Sequence, residues 1–205
     1  AFQKGRTVSF IFWKVPGRSF GRILQGGKMT NTRNNTRNLI LAALCLALAM
    51  LLPFLTGQIQ TLGNMLCPMH IPVLLCAYIC GYRWAAAVGF ISPLLRYAIF
   101  GMPPIMPAGV SMAFELLTYG LVAGLLYEKL KKNTLNIYVS LIISMISGRV
   151  VWGIARLIIS GVTGTEFTWQ LFIGGAVLQA VPGIILHILL IPIIVMALRR
   201  AKLID

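Results

Sequence analysis

Long apolar runs separated by short polar segments make up most of the chain from residue 39 onwards. A helix needs about 20 mostly apolar residues to cross the hydrocarbon core of a bilayer, and most of these runs are near that length. One run is shorter and lies between a polar loop and Arg83. The pattern predicts six transmembrane helices, at about 39–56, 70–82, 83–100, 108–127, 135–160 and 169–198.

Basic residues lie at alternate breaks between these predicted helices. They are Arg33, Arg37, Arg83, Lys129, Lys131, Lys132, Arg199, Arg200 and Lys202. The other three loops, 57–69, 101–107 and 161–168, contain no Lys or Arg, and the three prolines of 101–107 prevent a helix from continuing there. Because cytoplasmic loops are enriched in Lys and Arg, both termini are predicted to be cytoplasmic, which requires an even number of helices.

The composition favours an all-α integral membrane protein over a soluble one. Of the 205 residues, 58% are hydrophobic and 11% are charged, whereas a soluble domain carries roughly 25% charged residues. The net charge of +14 comes mostly from basic residues in the N-terminal segment and between the apolar runs, so membrane topology explains it and no nucleic-acid partner is expected. The four cysteines have no disulfide-like spacing and are expected to be buried thiols.

The first 28 residues differ from the rest of the chain. They are basic and irregular, and they lack the apolar core and cleavage site of a signal peptide. The tetrapeptide 26–29 (Gly-Gly-Lys-Met) can be encoded by a ribosome-binding site followed by a start codon, which suggests a bacterial source. We therefore expect residues 1–28 to be translated leader sequence or a disordered basic tail, and residues 29–205 to form a single six-helix membrane domain.

Several ionisable side chains remain inside the predicted helices once the flanking charges are set aside. They are Arg96, Glu115, Arg149, Arg156 and His187. A charge at the bilayer centre costs at least about 2.5 kcal/mol, so each needs a partner or a function. With a rise of about 1.5 Å per residue, Arg96, Glu115 and Arg149 fall at compatible depths in the outer half of the membrane. One arginine is expected to pair with Glu115, which leaves at least one to bind an anion or polar ligand oxygens.

Other side chains near these charges have two interpretations each. Trp152 and Arg156 share a helical face with Arg149 at i+3 and i+7 spacing. Trp152 can stack on a planar ligand or act in packing, and Arg156 can extend to the membrane surface. His187 lies on a similar face to Gln179, and an interhelical hydrogen bond is the commoner role for such a histidine.

The sequence patterns of metal sites and of intramembrane serine proteases are incomplete here. Residues 67–70 (Cys-Pro-Met-His) and the Cys76/Cys80 pair lack a second Cys/His pair at matching spacing, so no metal ligands are predicted. Ser111 and His187 are predicted to lie roughly 5 Å and 24 Å below the outer ends of their helices. An activated serine needs hydrogen-bond contact with its base, so we expect no catalytic residue and no enzyme activity.

Several sequence segments within 38–200 resemble one known transporter family. They are 68–72 (PMHIP), 89–96 (GFISPLLR), 101–104 (GMPP) and 113–120 (AFELLTYG), together with the short second helix. These features resemble the S-components of energy-coupling factor (ECF) transporters, the substrate-binding membrane subunits of bacterial vitamin importers. The resemblance implies a multi-pass protein of the bacterial plasma membrane that works with a coupling subunit and two ATPase subunits.

The resemblance also implies a mechanism and a set of residues. An S-component captures a vitamin or vitamin precursor near the outer face and then topples in the bilayer as its partners cycle, which releases the substrate inside. The expected substrate-binding residues are Asn64, Arg96, Glu115, Arg149, Trp152 and Gln179. Ala43 and Ala47 have the family's AxxxA spacing in the first helix and are expected to dock the coupling subunit, since small residues allow close helix approach.

The identity of the substrate stays open at this stage. The family handles flavins, folates, pantothenate, pyridoxine-type rings and thiamine precursors. Two arginines near one glutamate favour an anion such as pantothenate, and a planar heterocycle stacked on Trp152 is the alternative. The chain contains no GxxxxGK[ST] loop, so the energy for active transport must come from partners. The alternative function is a self-sufficient secondary transporter of a small organic anion, although no clear repeat relates the two halves.

Overall fold

The computed structural model describes residues 18–55, 65–131, 133–164 and 180–202, together with residues 168, 170 and 174. For residues 18–34 it describes the helical backbone but not the side chains. Every described element is helical, which confirms the all-α prediction. The α-helices are α1 (Arg18–Leu55), α2 (His70–Cys80), α3 (Tyr82–Phe100), α4 (Val110–Lys129), α5 (Thr134–Thr163) and α6 (Val181–Arg200). A short π-helical turn, Ile105–Gly109, leads into α4.

Four segments of the described helices are long and apolar enough to cross a membrane. They are Asn35–Phe54, Ile105–Lys129, Thr134–Thr163 and Val181–Arg200. Helix α2 has only 11 residues, which confirms the prediction of a short second helix. Helix α3 has 19 residues and carries both Arg83 and Arg96, which lower its hydropathy. The structure therefore supports a multi-pass membrane protein, and the count of six transmembrane helices stays a prediction.

Helix α1 begins earlier in the chain than the prediction of about residue 39. Contacts divide the chain into two units, residues 1–36 and 37–205. In the first unit α1 begins at Arg18, so helical structure reaches into the segment expected to be leader or tail. Whether that segment is translated leader stays a prediction. The start of the last predicted helix at residue 169 lies outside the described residues.

Glycines bring α3 and α4 into direct backbone contact. A Cβ added at Gly120 of α4 would lie 2.5 Å from the carbonyl oxygen of Ala85, and one at Gly89 of α3 would overlap the carbonyl of Leu116. A larger residue at either position would force the two helices apart. Since Ala85 faces Gly120 and the later Gly89 faces the earlier Leu116, the two helices are antiparallel.

Helices α2 and α4 run in the same direction and pack against α5. The rings of Tyr78 and Tyr127 lie 4.9 Å apart near the ends of α2 and α4, and the Tyr78 hydroxyl is 3.0 Å from Ser140 Oγ on α5. Arg83 at the start of α3 and Lys129 at the end of α4 therefore lie at the same end of the bundle. The predicted topology requires these two basic residues to lie on the same side of the membrane, the cytoplasmic one. The orientation of the bundle in the membrane stays a prediction.

Candidate functional site

A buried polar cluster surrounds Glu115, whose side chain is only 2% exposed. Arg149 of α5 places Nη1 3.1 Å from Glu115 Oε1. Tyr119, one turn further along α4, donates a hydrogen bond to the same oxygen at 2.9 Å. His70 at the start of α2 places Nε2 3.6 Å from it. Side chains from three helices thus converge on one carboxylate oxygen.

The ion pair between Glu115 and Arg149 joins α4 to α5 and cancels two buried charges. Taking both charges out of water is costly, and the cost is offset only when further hydrogen bonds satisfy the pair. The Tyr119 hydroxyl supplies one such bond. Arg149 Nη2 also lies 3.8 Å from Cys67 Sγ, which ties the pair to the segment before α2. The sequence predicted a partner for Glu115, and the structure identifies it as Arg149.

Two buried histidines form the next part of the cluster. His70 of α2 and His187 of α6 are each 2% exposed, and their rings stack at 5.9 Å with an interplanar angle of 22°. The His187 ring donates a hydrogen bond to the backbone carbonyl of Cys67. This contact ties α6 to the segment before α2 and brings a fourth helix to the cluster.

Glycines make room for this arrangement at two points. A Cβ at Gly148, the residue before Arg149, would overlap the ring of Tyr119, so glycine is needed for the tyrosine to reach Glu115. A Cβ at Gly183 of α6 would lie 2.6 Å from the carbonyl oxygen of Met65, so α6 can approach the segment before α2 closely.

Several polar atoms of the cluster have no hydrogen-bond partner in the part of the chain that the structure describes. They are His70 Nδ1, His70 Nε2, Arg149 Nε and His187 Nε2. The contacts of Glu115 within that part all reach Oε1, which leaves Oε2 available. Roughly 90% or more of buried polar groups in proteins are hydrogen-bonded. A concentration of such atoms around one ion pair therefore indicates a place where a polar ligand can bind.

A family model described as "ECF transporter, substrate-specific component" matches residues 37–195. The chain belongs to this family. No curated protein and no solved structure matches it significantly. The matched range contains the whole polar cluster, and it confirms the resemblance seen in the sequence. This substrate-specific component is thus a membrane subunit of a transporter, and its family assembles with coupling and ATPase subunits.

Arg96 of this substrate-specific component lies away from the Glu115 pair. Its Nη1 donates a hydrogen bond to the carbonyl oxygen of Met50 at 3.2 Å. The guanidinium carbon also lies 5.7 Å and 5.6 Å from the ring centroids of Phe54 and Phe100. Of the two arginines expected near Glu115, only Arg149 is within ion-pair distance among the described residues. The contacts of Arg96 instead join α1 to α3.

The remaining predicted site residues are only partly covered by the structure. Trp152 lies one turn beyond Arg149 on α5 and is half-buried. Asn64 and Gln179 lie outside the described residues. Neither His70 nor Tyr119 was among the residues predicted to bind the substrate. The i, i+4 spacing of Glu115 and Tyr119 was the available signal for the tyrosine.

The alternative chemistries considered from sequence have no geometric support in the described residues. Ser111 Oγ donates to the carbonyl oxygen of Pro107 at 2.7 Å, and His187 stacks on His70, so each has a local partner. Within the described ranges, no group of three or more His, Cys, Asp or Glu side chains is arranged to hold a metal ion.

An apolar groove also runs between α4 and α5. Its lining residues are Val110, Phe114, Val151, Ile154, Ala155, Ile158 and Ile159. None of them belongs to the polar cluster, and none offers a hydrogen-bonding or charged side chain. The groove has the chemistry of a lipid-facing surface, so we place the candidate substrate site at the Glu115 cluster.

Proposed function

We propose that this chain is the high-affinity substrate-capture subunit of an ECF-type importer for a vitamin or a vitamin precursor in the bacterial plasma membrane. The observation that carries the proposal is the buried cluster around Glu115 and Arg149. It lies within the range that matches a family of substrate-specific components. Its free donors and acceptors are the groups that would hold a small polar molecule.

In this proposal, the substrate contacts side chains of the cluster that belong to four different helices. Arg149 Nε and Glu115 Oε2 supply a donor and a charged acceptor, and His70 and His187 supply imidazole nitrogens. Trp152, Asn64 and Gln179 are proposed as further contacts, with Asn64 in a loop that closes over the substrate. Contact between Arg96 and the substrate stays a prediction, since its described contacts join α1 and α3.

Energy for transport comes, in this proposal, from a coupling membrane subunit and two ATPase subunits. Helix α1 offers a docking face because Ala43 and Ala47 are exposed, together with Leu44 and Leu51. Its opposite face is buried in the bundle at Ala42 and at neighbouring small residues. An exposed small-xxx-small pair lets a partner helix approach closely.

The proposal is tested by measuring vitamin binding to the purified chain and to an Arg149→Ala variant. Affinity is expected to fall at least about tenfold, since a hydrogen bond to a charged group contributes about 1.5–3 kcal/mol and about 1.4 kcal/mol is tenfold. Arg156→Ala is the matched control, because Arg156 is the same residue type on the same helix and is half-buried. It is expected to bind normally.

Arg149→Ala leaves the Glu115 carboxylate buried without its ion-pair partner, and this can prevent folding. The double variant Glu115→Gln with Arg149→Gln removes both charges and keeps hydrogen-bonding groups at both positions. It is expected to fold and to lose binding. Wild-type affinity in a folded double variant would contradict the proposed site.

A further inference from the structure

The one carboxylate and the one guanidinium of the described cluster are paired with each other. Glu115 and Arg149 lie 3.1 Å apart and neutralise each other. Arg96 has its contacts on α1 and α3, away from the pair. The described cluster therefore has no unpaired arginine to attract an anion.

Two of the segments outside the described residues contain no Lys or Arg. Residues 56–64 contain no charged side chain, and residues 165–179 contain Glu166 but no Lys or Arg. Arg156 lies seven residues beyond Arg149 on the same helix, which is roughly 10 Å along its axis. It is half-buried rather than part of the cluster.

We propose, resting on the function proposed above, that the substrate is a polar molecule without net charge. It presents a hydrogen-bond donor to Glu115 Oε2 and an acceptor to Arg149 Nε. The proposal replaces the anion that the sequence favoured, because that expectation required a second arginine near Glu115.

Both amino groups of the Arg149 guanidinium already have a contact within the described residues. Nη1 is directed at Glu115 Oε1 at 3.1 Å, and Nη2 lies 3.8 Å from Cys67 Sγ. The atom left without a partner among the described residues is Nε. A single N–H suits a carbonyl, hydroxyl or ring-nitrogen acceptor, whereas bidentate binding of a carboxylate requires two parallel N–H groups.

Two other available atoms of the cluster, Glu115 Oε2 and His187 Nε2, are acceptors that require a donor on the substrate. Because His187 donates from its ring to the Cys67 carbonyl, its neutral form has an acceptor lone pair at Nε2. Glu115 Oε2 is an ionised acceptor. A carboxylate or phosphate placed against Glu115 Oε2 would be repelled, whereas a hydroxyl, amino or ring N–H group would donate a hydrogen bond to it.

The test is a binding panel on the purified full chain, read by calorimetry and by thermal stabilisation. The uncharged probes are riboflavin, pyridoxine, 4-amino-5-hydroxymethyl-2-methylpyrimidine, nicotinamide and panthenol. The charged probes are folate, thiamine, nicotinate and pantothenate, and the last two differ from nicotinamide and panthenol essentially in the carboxylate. The tightest binder is expected to be uncharged, and within a matched pair the uncharged member is expected to bind at least about tenfold tighter.

The binding panel tests the uncharged substrate class separately from the capture function. A charged probe as the tightest binder would overturn the inference and leave the capture function standing. Binding of none of the probes would count against both. The Glu115→Gln variant gives a second measurement, because it leaves Arg149 as an uncompensated cation.

With Glu115→Gln, the uncharged ligand is expected to bind at least about tenfold more weakly, and anionic probes are expected to gain affinity. The control is Glu128→Gln at the exposed end of α4, which should leave the preference unchanged. If Glu115→Gln leaves the ratio between uncharged and anionic probes at its wild-type value, the inference is wrong.

Discussion

Tyr119 reaches Glu115 only because residue 148 has no side chain. The Tyr119 hydroxyl donates to Glu115 Oε1 at 2.9 Å, and its ring occupies the space where a Cβ of Gly148 would lie. Gly148 directly precedes Arg149, so one turn of α5 supplies both the space for the tyrosine and the cation of the ion pair. The geometry of the buried carboxylate therefore depends on a glycine that carries no chemistry itself.

Replacing Gly148 with alanine is expected to lower stability by about 1–3 kcal/mol, since the methyl group must displace the buried Tyr119 ring. Substrate affinity should fall as well, because Tyr119 holds Glu115. The measurement is thermal unfolding in detergent together with vitamin binding. Gly161→Ala is the control on the same helix, where an added Cβ meets nothing within 4 Å. Equal stability of the Gly148 and Gly161 variants would contradict this account.

Sequence reasoning identified part of the cluster at this scale. It required a partner for Glu115, because an intramembrane charge is costly, and Arg149 was one of two candidates. It could not choose between Arg96 and Arg149. Depth follows from counting residues along a helix, but the direction of a side chain depends on the rotation of the helix about its axis. The same limit hid His70, which lies at the start of α2 and points into the bundle.

At the scale of the helices, the apolar runs predicted most of the elements. The predicted ends of the second and third helices, about 82 and 100, lie close to the observed Cys80 and Phe100. A break after α3 is confirmed at residues 101–104, and the π-helical turn Ile105–Gly109 occupies the rest of the predicted loop. The beginning of α1 at Arg18 was not predicted, because the basic residues there interrupt the apolar pattern that marks a transmembrane helix.

Substituting leucine for Ala43 and Ala47 together is expected to block assembly with the coupling subunit. The two added side chains would hold a partner helix away from the exposed face of α1. Co-purification of the coupling and ATPase subunits measures assembly, and vitamin binding to the isolated variant should stay at the wild-type level. Ala87→Leu, at an exposed position on α3, is the control. Assembly of the double variant at wild-type yield would rule out this docking face.

At the scale of the whole molecule, the described helices combine an apolar exterior with the buried polar cluster around Glu115. Exposed large apolar side chains occur on α1 and on α3 to α6, as a lipid-facing surface requires. The chain contains no phosphate-binding loop of the GxxxxGK[ST] type. The composition and the placement of Lys and Arg predicted a membrane protein with an apolar exterior, because a surface that faces lipid must be apolar. The charge balance of the site needed the structure, because it depends on which arginine meets Glu115.

Mass spectrometry of small molecules retained by the chain, purified from a vitamin-rich culture, tests the central claim most directly. We expect one vitamin or precursor in stoichiometric amount, and none on the double variant Glu115→Gln with Arg149→Gln. The Arg156→Ala protein should retain the same molecule as wild type. Absence of any retained vitamin, together with no stabilisation by the probe panel, would contradict a substrate-capture role for the Glu115 cluster.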